Sequence, residues 1–143
     1  MRILVDTNIV LDVLLDRKPH ADHSAAVLVA VEQGIVTGVL GATTFTTLHY
    51  LLTRALGVKT ATRHVGTLLA LCDVAPVGIE VLNSALSLGF ADFEDAVLHE
   101  AGRTAGVDAV VTRDRAGFKR ATLRVYSPRE LLAIIGGQPT SSI

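Results

Sequence analysis

The sequence predicts an α/β fold with a mainly parallel central sheet. Short apolar segments rich in β-branched residues alternate with longer segments whose apolar residues recur at helical spacing, and this alternation is typical of βαβ units. The chain has 143 residues, and half of them are hydrophobic. This composition suits one domain with a substantial core and argues against a disordered chain.

The first half of the chain predicts two strands and four helices. Residues 2–6 are a short, nearly continuous apolar run, as expected of a buried strand. A short helix begins at Asn8, and it ends before Lys18 because the residue preceding a proline is disfavoured in helix. The remaining elements are a helix over 22–33 that Gly34 ends, a strand over 35–40, a helix over 43–56 that Gly57 stops, and a helix over 59–71.

The second half predicts three strands and three helices. Pro76 limits a strand over 74–77 to a short or edge position. The next elements are a helix over 79–88, a helix over 92–105, and strands over 109–112 and 123–126. Ser127 is suited to cap a last helix that begins at Pro128. The polar end of the chain contains Gly, Pro and Ser, so we expect a domain over residues 1–135 and a flexible tail over 136–143.

Composition excludes several classes of protein. Cys72 is the single cysteine, so neither a disulfide framework nor a cysteine zinc site is expected, and a cytoplasmic location fits. The longest apolar run, residues 25–31, is too short to cross a bilayer, and the first strand begins too early to leave room for a signal peptide. The net charge is -1, so overall charge does not indicate a nucleic-acid binder.

Carboxylates follow two predicted strands and open one helix. Asp6 ends the first strand and Asp114 follows the strand over 109–112, while Asp92 and Asp95 begin a helix. Parallel strands bring their carboxyl ends to one edge of a sheet, where ligands bind in α/β proteins. Acids gathered there repel one another unless a cation neutralises them. The sequence therefore predicts a site for a hard divalent metal.

Each acid also has a plainer interpretation. Asp92 and Asp95 have the spacing of a helix N-cap and its third residue, which resembles a capping box. Asp6 and Asp114 each precede a helix or turn that an aspartate side chain can cap. Capping explains the acids one at a time, but it does not explain why separate turns place them at the same sheet edge.

Other polar residues carry less information. Asp12, on the first helix, is interpreted as facing solvent or supporting the site. His99 lies one turn after Asp95 and is expected on the same helix edge, away from the apolar stripe. His20 and His23 have a spacing that permits metal pairing, but without further cysteine or histidine ligands a surface pair is favoured.

The acids fall within three segments that occur in a recognisable order: Ile3-Leu4-Val5-Asp6-Thr7-Asn8, Asp92-Phe93-Glu94-Asp95-Ala96 and Val111-Thr112-Arg113-Asp114. Together they resemble the conserved segments of the PIN-domain nucleases, a family that includes the VapC-type toxins of toxin–antitoxin pairs. The resemblance implies a three-layer α/β/α domain with a mainly parallel sheet of four to five strands. It also implies a Mg²⁺ or Mn²⁺ site, dimerisation, and inhibition by a small antitoxin protein.

The resemblance also assigns roles by position. Asp6, Asp95 and Asp114 match the acids of the family's metal site, and Asp92 matches an extra acid that one branch of the family carries. The polar residues that flank the site by the same matching are Asn8 and Thr112.

Two positions depart from the family pattern. Thr47 stands where many members have glutamate, and a hydroxyl cannot supply a full negative charge. Gly117 stands where an acid often precedes a phenylalanine, here Phe118. The resemblance therefore implies a site with fewer acids than usual, in which Asp92 compensates for Thr47.

The expected activity is hydrolysis of RNA phosphodiesters by a metal-activated water. Asp6 and Asp95 are expected to hold the metal directly, whereas Asp92 and Asp114 bind the metal or orient the water. Basic residues in the same region are candidates for holding the RNA backbone, although a solvated basic face is the plainer interpretation. These residues are Arg113, Arg115, Lys119 and Arg120.

Two other functions remain open. A phosphatase with Asp6 as nucleophile is disfavoured, because enzymes of the haloacid dehalogenase type need a second aspartate where Asn8 stands. A degenerate PIN-like domain would bind RNA or a protein without cutting, and Thr47 and Gly117 motivate this alternative.

Overall fold

Five parallel strands form the sheet at the centre of the protein. The computed structural model describes residues 1–136, and within them the strands are Arg2–Val5 (β1), Thr37–Gly41 (β2), Asp73–Ala75 (β3), Ala109–Val111 (β4) and Arg124–Tyr126 (β5). Their order across the sheet is β3-β2-β1-β4-β5, and every neighbouring pair is parallel. The predicted parallel sheet is confirmed, with the first strand at its centre.

Seven α-helices and one 3₁₀ turn connect the strands of the described region. They are Thr7–Leu14 (α1), Ala21–Glu32 (α2), Ala42–Leu56 (α3), Val58–Leu71 (α4), Ile79–Leu86 (α5), Phe93–Thr104 (α6) and Pro128–Gly136 (α7), with the 3₁₀ turn over Ala116–Phe118. The last helix includes Gly136, which the sequence assigned to the tail, and the rest of that tail lies outside the described residues. None of these helices is both long and apolar enough to span a bilayer.

Hydrophobic clusters cover both faces of the sheet, because successive strand side chains point to opposite sides. Ile3 and Val5 pack with residues of α1, α2, α3, α4 and α7. Leu4, between them, packs on the other face with residues of α5 and α6. Strand β1 is thus buried on both faces, as its continuous apolar run predicts, and the three-layer α/β/α arrangement is confirmed.

Two close contacts hold the acid-bearing segments in place. A Cβ added at Gly102 of α6 would lie only 2.9 Å from Leu4 Cδ2, so a larger residue would push α6 away from β1. The amide of Asp6 donates a hydrogen bond to the Val111 carbonyl at 3.0 Å, which aligns the end of β1 with the end of β4. The start of α6 and the ends of the two strands therefore meet at one edge of the sheet.

Candidate metal centre

A pocket of about 170 Å³ opens at the carboxyl end of β1. Residues of α1, of α3 and of the first turns of α6 line it: Asp6, Thr7, Asn8, Leu11, Thr47, Leu51, Asp92, Glu94, Asp95 and Leu98. Three of the four predicted acids therefore lie on this pocket, together with Asn8, which was expected to flank them, and Thr47, which stands at the glutamate position of the family pattern.

The side chain of Asp6 is hydrogen-bonded to Thr112 at the end of β4. Asp6 occupies the N-cap position of α1 but makes no side-chain capping bond, so the capping interpretation of this acid was wrong. Thr112 Oγ1 donates to Asp6 Oδ2 at 2.8 Å and accepts from the Asp114 amide at 3.0 Å. One hydroxyl thus joins the carboxylate of Asp6 to the turn that carries Asp114. Burial raises the pKa of Asp6 despite the hydrogen bond from Thr112.

Asp95 and Asp114 approach each other over Gly117. A Cβ built on Gly117 would lie 2.9 Å from both Asp95 Oδ2 and Asp114 Oδ2, so the two oxygens can be no further apart than twice that distance. Asp114 Oδ1 also accepts from the Gly117 amide at 3.1 Å. Asp114 therefore caps the 3₁₀ turn, as the plainer interpretation expects, and still directs its other oxygen toward Asp95.

Asp92 combines capping with a place on the pocket. Its Oδ1 accepts from the Glu94 amide at 2.9 Å, which satisfies one of the free amides at the start of α6. Asp95 does not complete a capping box, since no side-chain hydrogen bond to it is found among residues 1–136. The two acids of this segment therefore differ: Asp92 stabilises the helix start, whereas Asp95 is left facing the other carboxylates.

The acids influence one another electrostatically. Burial raises the pKa of Asp95 to about 7, and the neighbouring negative charges add to this effect; they belong to Asp6, Asp92, Asp114 and Glu94. Asp95 therefore lies close enough to the other three predicted acids, and to Glu94, for their negative charges to raise its pKa.

Glu94 is the acid that sequence reasoning missed. Thr47 Oγ1, on α3, donates to Glu94 Oε1 at 3.4 Å, so a carboxylate faces the position where the family pattern expects glutamate. The available signal was the place of Glu94 between Asp92 and Asp95. Helical spacing turns it away from Asp95, and its place beside Thr47 depends on α3 and α6 meeting at the carboxyl edge of the sheet from its two faces.

Asp12 supports the site and does not face solvent. It is fully buried, and Arg113 donates to it from Nε at 2.8 Å and from a terminal nitrogen at 3.2 Å. Ser24 Oγ donates at 3.3 Å, and Arg17 Nε lies 3.2 Å away. Of the two interpretations that the sequence left open for Asp12, exposure to solvent is wrong and support of neighbouring residues agrees with these contacts, although periodicity along α1 could not reveal a partner that follows β4.

The four basic candidates separate into two pairs. Arg113 is bound by Asp12, and Arg115 forms an ion pair with Glu130. Lys119 and Arg120 make no ion pair within residues 1–136. They line a second pocket, of about 230 Å³, whose remaining wall is formed by Gly89, Phe90, Ala91, Ala116 and Gly117.

His99 lies in the core and not beside the acids. It is fully buried, and its Nε2 accepts from the amides of Thr122 and Leu123 at 3.1 and 3.2 Å. Its Nδ1 therefore carries the proton and donates to Glu100 at 2.9 Å. The expectation that His99 shares the exposed edge of Asp95 was wrong. His20 and His23 line a separate pocket beside Arg113 and Arg129.

The donors fit a hydrated hard cation. Within residues 1–136 no three His, Cys, Asp or Glu side chains already stand as a complete set of metal ligands. Mg²⁺ needs no such set, because it keeps several waters and is commonly held through one or two carboxylates. Asp95 and Asp114 offer such a pair at the space over Gly117, with Asp6 and Asp92 close by.

An α/β/α domain with carboxylates gathered at the end of its central strand is the class of protein that these observations define. A model of the PIN domain matches residues 2–116, and the chain belongs to the PIN-domain family.

Solved structures share this fold. VapBC2 from Rickettsia felis, bound to a DNA fragment from its promoter, aligns with a TM-score of 0.69 at 14% identity, over 89% of this chain and 98% of that one. FitAcB from Neisseria gonorrhoeae aligns with a TM-score of 0.68 at 22% identity, over 89% and 98%. VapC20 from Mycobacterium tuberculosis, a toxin that cleaves the sarcin-ricin loop, gives 0.61 at 16% identity, over 76% and 86%. No curated protein matches the chain.

Replacing Asp12 by alanine should destabilise the protein strongly. The change leaves the guanidinium groups of Arg113 and Arg17 without their buried partner, and we expect a loss of about 2–3 kcal/mol, below the usual cost because both arginines are partly exposed. Urea denaturation measures the change. The control is Asp22→Ala, which removes an exposed partner of Lys18 and should cost less than about 0.5 kcal/mol. Equal effects of the two substitutions would contradict this role of Asp12.

Stability without divalent ions should fall as pH rises from about 4 to about 7. The pKa of Asp95 in the folded protein is about 7, against about 4 in an unfolded chain. Between these values the folded state binds more protons than the unfolded state, so the free energy of unfolding decreases with pH. Thermal melting in chelator measures this slope, and Asp95→Asn should make it shallower. If Asp95→Asn and the parent show the same slope, the raised pKa of Asp95 is not the cause of the pH dependence. The control is Asp22→Asn, whose slope should equal that of the parent.

Proposed function

We propose that the protein is a ribonuclease that hydrolyses RNA phosphodiesters with Mg²⁺ or Mn²⁺ and is the toxin of a toxin–antitoxin pair. The observation that supports this most directly is the convergence of carboxylates from β1, α6 and the turn after β4 on one edge of the sheet. Membership of the PIN-domain family also supports a nuclease, since the family includes nucleases. One of the similar structures is itself a toxin that cleaves RNA at the sarcin-ricin loop.

The chemistry divides among the acids. Asp95 and Asp114 would hold the ion together with Asp6, whose orientation Thr112 fixes through a 2.8 Å hydrogen bond. A bound Mg²⁺ or Mn²⁺ supplies a water of lowered pKa and neutralises charge that develops on the phosphate. Asp92 would orient the attacking water, because its Oδ1 serves the helix cap and its second oxygen remains for the pocket.

Lys119 and Arg120 are proposed to hold the RNA backbone. Their pocket shares Gly117 with the acid pair, so a phosphate bound there would be a neighbour of the one that is cut. Phe90 in the same wall packs edge-on against Phe118, with ring centres 5.9 Å apart, and so belongs to the core more than to a stacking platform. The pocket therefore offers charge for phosphate and little for bases.

Partners and location complete the proposal. The similar VapBC2 structure contains an antitoxin with its toxin, and we propose that a small antitoxin protein likewise binds this chain. We also propose a homodimer in the cytoplasm. Several large apolar side chains of α3 and α4 are exposed and available for an interface, among them Tyr50, Leu56, Val58 and Leu69.

Substitution of the acids tests the nuclease. Asp6→Asn, Asp95→Asn and Asp114→Asn should each lower Mn²⁺-dependent cleavage of a fluorescent single-stranded RNA by at least about tenfold, whereas Asp22→Asn should cut like the parent. Mg²⁺ should also raise the melting temperature of the parent beyond the effect of monovalent salt.

Three results would reject the proposal. If all variants cut equally, the activity is a contaminant. If none cuts although the RNA binds, the domain is a non-cleaving RNA binder. If a covalent phosphate can be trapped on Asp6, the protein is an aspartyl phosphatase.

The salt dependence of RNA binding tests the basic pocket. In chelator, replacing both Lys119 and Arg120 by alanine should weaken binding of single-stranded RNA and reduce the slope of log K against log salt by about 1.4, or about 0.7 for each lost phosphate contact. Arg115→Ala is the matched control, since Glu130 already pairs with Arg115. If Arg115→Ala lowers the slope as much as the double substitution, the binding surface lies elsewhere. Fluorescence anisotropy at several salt concentrations gives the slopes.

A further inference from the structure

We propose that Gly117 is a positioning residue: its lack of a side chain opens the space in which Asp95 and Asp114 hold the cation. This inference rests on the proposed function. Gly117 stands where the family pattern has an acid, and we infer that the absence of a side chain at this position is itself required. The ion would then lie between the carboxylates of Asp95 and Asp114.

The backbone does not explain the glycine. The glycines of residues 1–136 that adopt the left-handed conformation are Gly34, Gly57, Gly89 and Gly106. Gly117 is not among them, so an alanine there would meet no conformational strain. The reason for glycine must therefore lie in the space around its Cα.

That space is bounded by the two acids. A Cβ on Gly117 would stand 2.9 Å from Asp95 Oδ2, 2.9 Å from Asp114 Oδ2 and 3.3 Å from Asp114 Cγ. Real Cβ atoms essentially never approach oxygen so closely, so both carboxylates would have to move. Asp114 has little freedom to do so, because its Oδ1 accepts from the Gly117 amide at 3.1 Å and its own amide donates to Thr112.

The charges around this space are unbalanced. Neither Asp95 nor Asp114 forms a salt bridge with any basic side chain of residues 1–136. Asp95 is half-buried and Asp114 is exposed, and two carboxylates that face the same point near a protein surface repel each other by several kcal/mol. A cation between them removes this repulsion. Mg²⁺ binds oxygen at 2.0–2.1 Å, which requires ligand oxygens about 3–4 Å apart, and the spacing over Gly117 permits this.

The experiment adds one methyl group without changing charge. Gly117→Ala should weaken Mn²⁺ binding, measured by isothermal titration calorimetry without RNA, by about 10–100-fold. The matched control is Gly66→Ala in α4, where an added Cβ meets nothing within 4 Å, and its Mn²⁺ affinity should equal that of the parent. Circular dichroism measures the melting temperature of each variant, and Mn²⁺ binding is measured at a temperature below the melting transition.

A double substitution separates positioning from a general structural effect. If Gly117 acts through the acid pair, Gly117→Ala should change Mn²⁺ affinity far less when Asp114→Asn is already present, and the two effects should not add. Full additivity would overturn the inference, as would parent-like Mn²⁺ binding by Gly117→Ala. If Asp95→Asn then still loses Mn²⁺, the metal centre stands and only the role of Gly117 falls. If the parent itself binds no Mn²⁺, both proposals fail.

Discussion

Repulsion between carboxylates is the constraint that the carboxyl edge of this sheet must satisfy. Two unit charges 4 Å apart near a protein surface interact by about 4 kcal/mol, so the acids do not gather without opposing forces. Thr112 holds Asp6, and the amides of Glu94 and Gly117 hold Asp92 and Asp114. Burial of the hydrophobic clusters on both faces of the sheet stabilises the fold and offsets the unfavourable repulsion between these carboxylates. The acids are therefore kept together by the rest of the fold and not by attraction to one another.

The elements of the fold were predictable because their signals are local. The apolar run of β1, the glycines after α2 and α3, and the cap at Ser127 each depend on a few neighbouring residues. The common edge of the acids was also predictable, since parallel strands allow few placements. Burial of individual polar residues was not predictable, because Asp12 depends on a partner 101 positions away and His99 on amides more than 20 positions away.

The two departures from the family pattern have a different meaning in three dimensions. At Thr47 the hydroxyl donates a hydrogen bond to the carboxylate of Glu94 at 3.4 Å, so an acid from α6 stands beside the position where the family pattern has glutamate. At Gly117 the missing side chain leaves room for Asp95 and Asp114. A comparison by position counts two lost acids, whereas the pocket at the end of β1 is still lined by the carboxylates of four residues, Asp6, Asp92, Glu94 and Asp95. Matching by position compares only equivalent residues of the chain, whereas a carboxylate from a different helix can occupy the same region of the pocket.

The basic segment after β4 follows the same logic. Arg113 lies between Thr112 and Asp114, and its guanidinium is bound by the fully buried Asp12. This ion pair ties the turn that carries Thr112 and Asp114 to α1. The guanidinium of Arg113 is therefore already bound within the protein, although its charge alone would favour contact with a phosphate. A buried charge must keep its partner, and for this reason Lys119 and Arg120, which make no ion pair within residues 1–136, are the two candidates that we propose for contact with a substrate.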